Sequence, residues 1–535
     1  MRIDTIVENA RIRTMDAGRS TASRLGILNG RVVGLDEELD GVQADRRVDL
    51  EGAPVLPGFH DAHFHLMLTG FRLAAVDVRS AVAPTMDAVL AAVRAASQTL
   101  PDGEVVFASG YDQNIIGAHP SAAQLDEASG GRAVVMEHVS AHMTTVSTAV
   151  FDLIGHTGGH GVPDVAGGHV ARDAEGRATG LLQENAQNLI EHLREPGTQE
   201  QVARYIELAS RHAIEYGLTS ISEPGARYAF TAYQTARERG AVMPRIVYMP
   251  FVSRLRSIRV FEDGEGWLGF DDGIRTGLGD DRLMLGPMKI VTDGSLIGRS
   301  AAMHHCYHGE SENSGFMRFG PEELREAIVA GHRAGWTIAA HAIGDAAIDH
   351  VLDGFEEAQR VLPRPGVRHR IEHFAVADDA QVARAAALGV VPVPQGRFIS
   401  EFGDGMAAAL GAERAQHCYR MRSLLDAGIV LPGSTDSPIA DANPLRSIHD
   451  MVNRTTASGA VLAPEERISA YEAVHAYTVG SSHAVGQEHE RGRLISGMLA
   501  DLVVLSDDVL AVDPSSIGDV TVRATMIGGE FVFSD

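Results

Sequence analysis

The chain has 535 residues, long for one domain and enough for a large barrel with additions or for about two to three domains. Apolar residues make up 44% of it, enough for a substantial core, yet no uninterrupted apolar run approaches the roughly 18 residues of a membrane span. A formal net charge of −25 repels phosphate backbones and anionic lipid, so neither nucleic acid nor a membrane is an expected partner.

The start, Met1-Arg2-Ile3-Asp4, carries acid early and lacks the apolar run of a signal peptide. With only Cys306 and Cys418 in the chain, a disulfide scaffold is excluded and a cytoplasmic setting is expected. Short β segments with turn residues between them follow at Ile6–Ile12, Leu25–Leu28 and Arg31–Gly34. The first core strand is predicted over Val55–His65. Residues 78–203 break the pattern that follows and are expected to form an inserted subdomain over the mouth of the fold. A strand-like run there, Ala133–His142, is kept out of the core count.

From Arg204 onwards one grammar repeats: an amphipathic helix, a Gly able to stop it, then a short buried apolar run. Arg204–Tyr216, Gly217 and Leu218–Ser222 follow it, and so do Pro321–Ala334, Gly335 and Trp336–His341. Asp379–Leu388, Gly389 and Val390–Pro394 repeat it, then His417–Ala427, Gly428 and Ile429–Leu431. Such repeats mean parallel strands with crossover helices. Adding Arg245–Pro250, Leu285–Asp293 and Arg370–His373, and running the last strand to Asp436, brings the core strands to eight. The expected fold is therefore α/β, a (β/α)8 TIM-like barrel over residues 54–77 and 204–494. The closing β segments, Ala500–Leu505, Val520–Met526 and Glu530–Val532, are expected to join the N-terminal ones in a small β-sandwich of residues 1–53 and 495–535.

Several predicted strands end in residues suited to a metal. His63 and His65 alternate along the first strand, so they project from one face at the C-terminal end, where barrel active sites lie. His341, His373 and Asp436 close the fifth, sixth and eighth strands. Any one of these taken alone reads as a core histidine or a turn-capping aspartate; together they fit a divalent-metal site. Lys289, on the fourth strand, is the only lysine in the chain, every other basic residue being arginine. A salt bridge to Asp293 would be served at least as well by arginine. A desolvated lysine, unlike arginine, can lose its proton and react with carbon dioxide to a carbamate able to bridge two cations.

The run Pro57-Gly58-Phe59-His60-Asp61-Ala62-His63-Phe64-His65 resembles the metal-binding opening of the amidohydrolase superfamily. Gly110-Tyr111-Asp112, Leu182-Gln183-Glu184, Lys289–Ala301 with Asp293-Gly294-Ser295, His341–Asp345, Ile371-Glu372-His373 and Gly433–Pro438 are similar to its family 3 branch, which contains N-substituted formamide deformylases. Gly492–Leu505 is similar to the superfamily's closing β-sandwich segment. The resemblance implies a metal centre at His63, His65, Lys289 in N6-carboxylated form, His341, His373 and Asp436. It departs from the branch at Leu296–Ser300 and at Ser147, where Asn is usual, both in stretches expected to face the substrate.

The expected activity is hydrolysis of a non-peptide amide or formamide C–N bond of a small molecule through a metal-bound hydroxide. The expected metal is a pair of zinc ions, with iron, cobalt or manganese also fitting the ligands, and Asp436 is ligand and general base. Tyr111 and Arg299 are candidate substrate contacts. His138 or His142 could stabilise the oxyanion, or both could be ordinary histidines. Glu184 could be a rival metal ligand or a helix-surface or pocket residue. Deaminase, cyclic-amide or carbamate hydrolase chemistry, with one metal or two, and a non-catalytic binding protein on the same scaffold are the rivals. Expected partners are a small-molecule substrate and, at most, a second copy of the chain.

Overall fold

The computed structural model describes residues 2–101, 103–194, 198–225, 229–258, 267–269 and 273–535. Its centre is two parallel sheets of four strands each. One arc comprises β1 (Phe59–Asp61), β2 (Leu218–Gly225), β3 (Arg245–Pro250) and β4 (Leu283–Leu285), hydrogen-bonded in that order. The second comprises β5 (Met288–Val291), β6 (Ile338–Ala342), β7 (Arg370–His373) and β8 (Val391–Val393). Apart from Met284 and Val291, their residues are buried, the pattern of parallel strands covered on both faces.

Helices α1 (Gln199–Glu215), α2 (Ala229–Glu238), α3 (Pro321–Arg333), α4 (Asp345–Val361) and α5 (Asp379–Leu388) lie between or before these strands in the chain, and α6 (Phe398–Leu410) follows β8. Local chemistry sets their ends. In α3, Pro321 occupies the first turn with Glu322 and Glu323, while His332 and Arg333 sit in the last turn, where the helix dipole favours them. Asp378 caps α5 by accepting from Gln381 N at 2.8 Å, and Gly389 ends the helix at φ 66°.

Three predicted strands are revised. Val55–His65 splits: Pro54–Pro57 pairs antiparallel with Leu502–Leu505 in a terminal sheet, and only Phe59–Asp61 joins the parallel arc. Gly58 sits at the break, where an added Cβ would lie 2.2 Å from the Thr219 side chain. Leu285–Asp293 also splits, into β4 and β5, because Gly286 and Pro287 intervene and Pro287 has no N–H for a ladder. Ile429–Asp436 forms no strand, and its helix begins only at Met421. The segment is nonetheless tied to the first arc: Ala62 N donates to Gly433 O at 2.9 Å, Asp436 N to His63 O at 2.8 Å and His65 N to Ser437 O at 2.8 Å. On its other side Ser434 Oγ donates to Pro394 O at 3.2 Å. The two arcs meet at a parallel bridge between Phe251 and Lys289. No single closed ladder forms among the described residues.

Strands from both chain termini share a sheet. A mixed sheet orders Glu530–Ser534, Val522–Ile527, Leu502–Leu505, Pro54–Pro57, Arg11–Arg13 and Thr21–Ala22. A second sheet of Arg31–Leu35, Leu25–Leu28, Arg2–Glu8 and Gln43–Asp49 contributes Val7, Leu25, Ile27 and Val32 to an apolar cluster with Val55, Leu502 and Met526 of the first. Arg245 of β3, fully buried, donates from Nε to Asp501 Oδ2 at 2.7 Å and so ties the parallel core to these strands.

Within residues 78–203, of which 102 and 195–197 lie outside the described set, most of another six-stranded sheet forms; its edge strand is Val76–Asp77. Of the run Ala133–His142 only Val134–His138 is a strand, after which the chain turns back into a second strand, Met143–Val146. Among the described residues no helix is long and apolar enough to cross a membrane.

Candidate metal centre

His63 and His65 do not alternate along a strand. β1 stops at Asp61, and His65 is the N-cap of the helix Leu66–Ala74. They converge all the same, with ring centroids 5.2 Å apart. Asp61 fixes this turn by accepting from His63 N at 3.0 Å and from the Thr435 backbone and hydroxyl, which draws the first strand and residues 433–437 together. Burial pushes the Asp61 carboxyl up to about 7.

His341 and His373 stand at the ends of β6 and β7, their ring centroids 4.5 Å apart, and His373 lies 5.2 Å from the His63 ring. Ligating atoms of His63, His373 and Asp436 all fall within 4.8 Å of one another. Asp436 Oδ1 is 3.1 Å from His65 Nε2 and 3.5 Å from His63 Nε2, yet this buried oxygen accepts no well-formed hydrogen bond. Lys289 Nζ is buried 3.5 Å from His63 Nε2, and among the described residues no carboxylate lies within ion-pair distance of it. The alternative salt bridge to Asp293 is absent, because Asp293 accepts instead from Ala302 N at 3.0 Å, Ile343 N at 3.1 Å and Gly344 N at 2.9 Å.

Tautomers follow from the partners. Glu372 accepts from His63 Nδ1, and Gln395 Oε1 accepts from His373 Nδ1 at 2.7 Å, so each ring presents an Nε2 lone pair. Glu372 is itself held by Arg370, whose Nε and Nη2 donate to it at 2.8 and 2.9 Å. Burial drives His63 and His341 well below the ordinary imidazole range, and Lys289 adds to this; burial takes His373 down to about 3. Burial likewise lowers the Lys289 ammonium to about 8. For Asp436, burial acts upward but is outweighed by the His63, His65 and His373 rings, which hold the carboxyl well below the usual carboxylate range. Neutral imidazoles, one anionic carboxylate with an unsatisfied oxygen and a desolvated lysine make a donor set that fits divalent ions. His373 and Asp436 adopt φ of 73° and 59°, left-handed backbone that non-glycine residues take at a cost, as happens at functional sites.

A cavity of about 190 Å³ opens on this group and is lined by all six predicted ligands. Two of the predicted substrate residues also line it, His142 and Glu184. Met143 pairs with Gln183 across antiparallel strands, which brings the two together: His142 Nδ1 is 2.8 Å from Glu184 Oε2, and Ser300 Oγ donates to Glu184 Oε1 at 2.8 Å. Burial opposes a charged His142, but the Glu184 carboxylate outweighs it and raises the imidazole. Glu184, at φ 49°, ends a strand in the pocket and is not on a helix surface.

Three predicted contacts lie elsewhere. Tyr111 is fully buried in an apolar cluster, its hydroxyl 3.0 Å from His119 Nδ1. His138 is buried between Ser140 Oγ and Gln113 Oε1, at 2.8 and 2.5 Å. Arg299 pairs with Glu310 away from the cavity. Ser147 faces no substrate: its Oγ accepts from Val134 N at 2.8 Å inside the protein, whereas Leu296 and Ile297 of the other divergent stretch do line the cavity. Residues without an assigned role in the sequence join the site: Glu372 and Gln395, which orient ligands, Arg318 on the cavity wall, and Phe398, Phe402 and Met406 of α6. The sequence signals among them are Glu372's place in the Ile371-Glu372-His373 motif and the spacing of the last three, one helical turn apart.

An α/β core whose parallel strands carry His341 and His373, and whose strand-following turns carry His63, His65 and Asp436, to one cavity is the layout of a metal-dependent hydrolase. The chain belongs to the amidohydrolase family, whose profile matches residues 46–533. It is 29% identical over 548 residues to the N-substituted formamide deformylase of Arthrobacter pascens, covering 98% of this chain and 97% of that one. It is also 29% identical to Protein LONG AFTER FAR-RED 3 of Arabidopsis thaliana, over 99% of this chain and 91% of the relative. Among solved structures, an uncharacterized metal-dependent hydrolase from Pyrococcus horikoshii OT3 superposes with a TM-score of 0.75 at 26% identity, covering 95% of this chain and 99% of that one.

Proposed function

We propose that this protein hydrolyses a non-peptide amide or formamide bond of a small molecule, with His63, His65, His341, His373, Asp436 and an N6-carboxylated Lys289 holding a pair of divalent ions, zinc by default. The observation that carries the reading is the placement of the only lysine: Lys289 is buried against His63 in the cavity wall, without a carboxylate partner among the described residues. Its carbamate would supply the anionic oxygens that a cluster of neutral imidazoles lacks. When bound, such ions polarise a substrate carbonyl and bring the pKa of water towards neutrality. Asp436 would take the proton of the attacking water and return it to the departing nitrogen. His142, held by Glu184, would donate to the carbonyl oxygen as negative charge develops there. Glu372 and Gln395 keep the Nε2 atoms of His63 and His373 aimed inward.

The same reading takes the two parallel arcs and residues 429–436 as the eight staves of a (β/α)8 barrel. The terminal sheets would then be its β-sandwich, and residues 78–203 a subdomain over its mouth. Bonds on both sides of residues 433–437 support this, as does the position of His142 and Glu184 on the cavity wall. A cytoplasmic enzyme, alone or as a homodimer, is the accompanying proposal.

The test is amine and acid release from formamides, anilides, N-acyl amino acids and cyclic imides, with elemental analysis of the same sample. Turnover of at least one linear amide, lost on chelation and restored by divalent metal, is expected. A metal-replete protein inert towards the whole panel would overturn the reading.

A further inference from the structure

Arg318 reaches the cavity with about three quarters of its side chain buried, and the groups around it leave its charge incompletely met. Its Nη2 donates to the neutral Asn185 Oδ1. The nearest carboxylate oxygen, Glu184 Oε2, is 3.9 Å from Nη1, beyond hydrogen-bond range. Glu184 is already engaged on both oxygens, by His142 Nδ1 at 2.8 Å and Ser300 Oγ at 2.8 Å. The other acid of this region, Asp293, has both oxygens filled by three backbone N–H groups. A guanidinium is built to grip a carboxylate with two parallel N–H donors, and here one side of it is free to do so.

The same cavity has an apolar stretch. Phe398, Phe402 and Met406 recur every four residues along α6, so they form one stripe on the cavity lining. Phe398 stacks on the His373 ring at 6.3 Å, which sets this stripe directly beside the candidate metal ligands.

We infer that the substrate is an N-acylated apolar amino acid or a close analogue, with its carboxylate held by Arg318 and its apolar side group against the Phe398–Phe402–Met406 stripe. The inference rests on the amide-hydrolase reading and narrows it: Arg318 is a binding residue, and the scissile bond is the acyl–nitrogen bond beside the anchored carboxylate. A monoanion suits this wall although the protein as a whole is acidic, because the local cation faces the cavity.

A matched pair of compounds tests it: racemic N-acylphenylalanine and the corresponding N-acyl-phenethylamine, which differ only by the carboxylate, in the acyl series that the panel favours. The wild-type protein is expected to show kcat/KM at least about tenfold higher for the acid, carried mainly by KM. Arg318→Met should bring that ratio close to one and Arg318→Lys should keep part of it, with circular dichroism of the same samples reporting the folded state. Equal turnover of the two compounds by the wild type, or a ratio unchanged in Arg318→Met, overturns the inference while leaving the amide-hydrolase reading intact. A wild type inert towards both compounds and towards the whole panel removes the reading and the inference together.

Discussion

Glu372 shows how much of the site depends on a side chain that touches no substrate. It accepts from His63 Nδ1 and is clamped by Arg370, so it fixes the tautomer and the heading of a candidate ligand. Glu372→Gln should weaken metal retention about 10–100-fold, measured by competition with a chelator, at nearly unchanged thermal stability. Retention equal to wild type would mean that the ring is oriented by other means. A second histidine pair, remote from the cavity, is expected to contribute to acid stability. Ile338 N donates to His369 Nδ1 at 3.1 Å, His369 Nε2 donates to His332 Nδ1 at 2.8 Å, and His332 Nε2 donates to Leu362 O at 2.7 Å. Each acceptor nitrogen in that chain must stay unprotonated, and burial takes His369 down to about 3 from its ordinary 6.5. The unfolded chain therefore binds the extra proton first, and stability falls as pH drops from about 6.5 towards 3, by up to about 1.4 kcal/mol per pH unit from this group. Urea midpoints measured between pH 7 and 5 should fall, and the fall should be shallower in His369→Phe; an identical slope would remove His369 from the account.

At the level of elements, the sequence revealed the repeating units and lost their edges. Helices such as Asp379–Leu388 were legible because cap, apolar period and terminal glycine agree. The strand ends were less so. Hydrophobic runs cannot show that Pro54–Pro57 leaves the core for the terminal sheet, since that depends on partners far along the chain. The break of the fourth strand at Gly286 and Pro287 is instead a local signal that the apolar run masks. His63 and His65 were correctly brought together, but for a reason that differs from alternation: a tight turn into a helix. Tyr111, His138 and Arg299 lie off the cavity because a motif fixes chain position and not the direction in which a side chain, on a strand or in a turn, faces. Gly344 illustrates how closely the elements meet near the site. A Cβ there would lie 1.9 Å from the Ala302 carbonyl oxygen, and the Gly344 N–H is one of the three that hold Asp293. Gly344→Ala must push backbone against backbone, so a loss of about 1–3 kcal/mol in denaturant unfolding and a clear loss of turnover are expected. Unaltered unfolding and turnover would show that the two loops move apart freely.

Across the whole molecule, the general plan was readable and the pocket was not. Termini that share a sheet, a parallel core and six candidate ligands lining one cavity follow from patterning and from the single lysine. Arg318, Gln395 and the α6 stripe come from loops and helices between the strands, where sequence spacing carries little information about what faces inward. The proposed chemistry turns on Lys289, so the most direct measurement is metal content and amide turnover of Lys289→Arg beside the wild type, with circular dichroism to verify folding. The account predicts a pair of divalent ions per wild-type chain, and a folded variant that has lost at least one of them and at least about 100-fold in turnover. A folded Lys289→Arg protein with full metal content and near-normal turnover would contradict it.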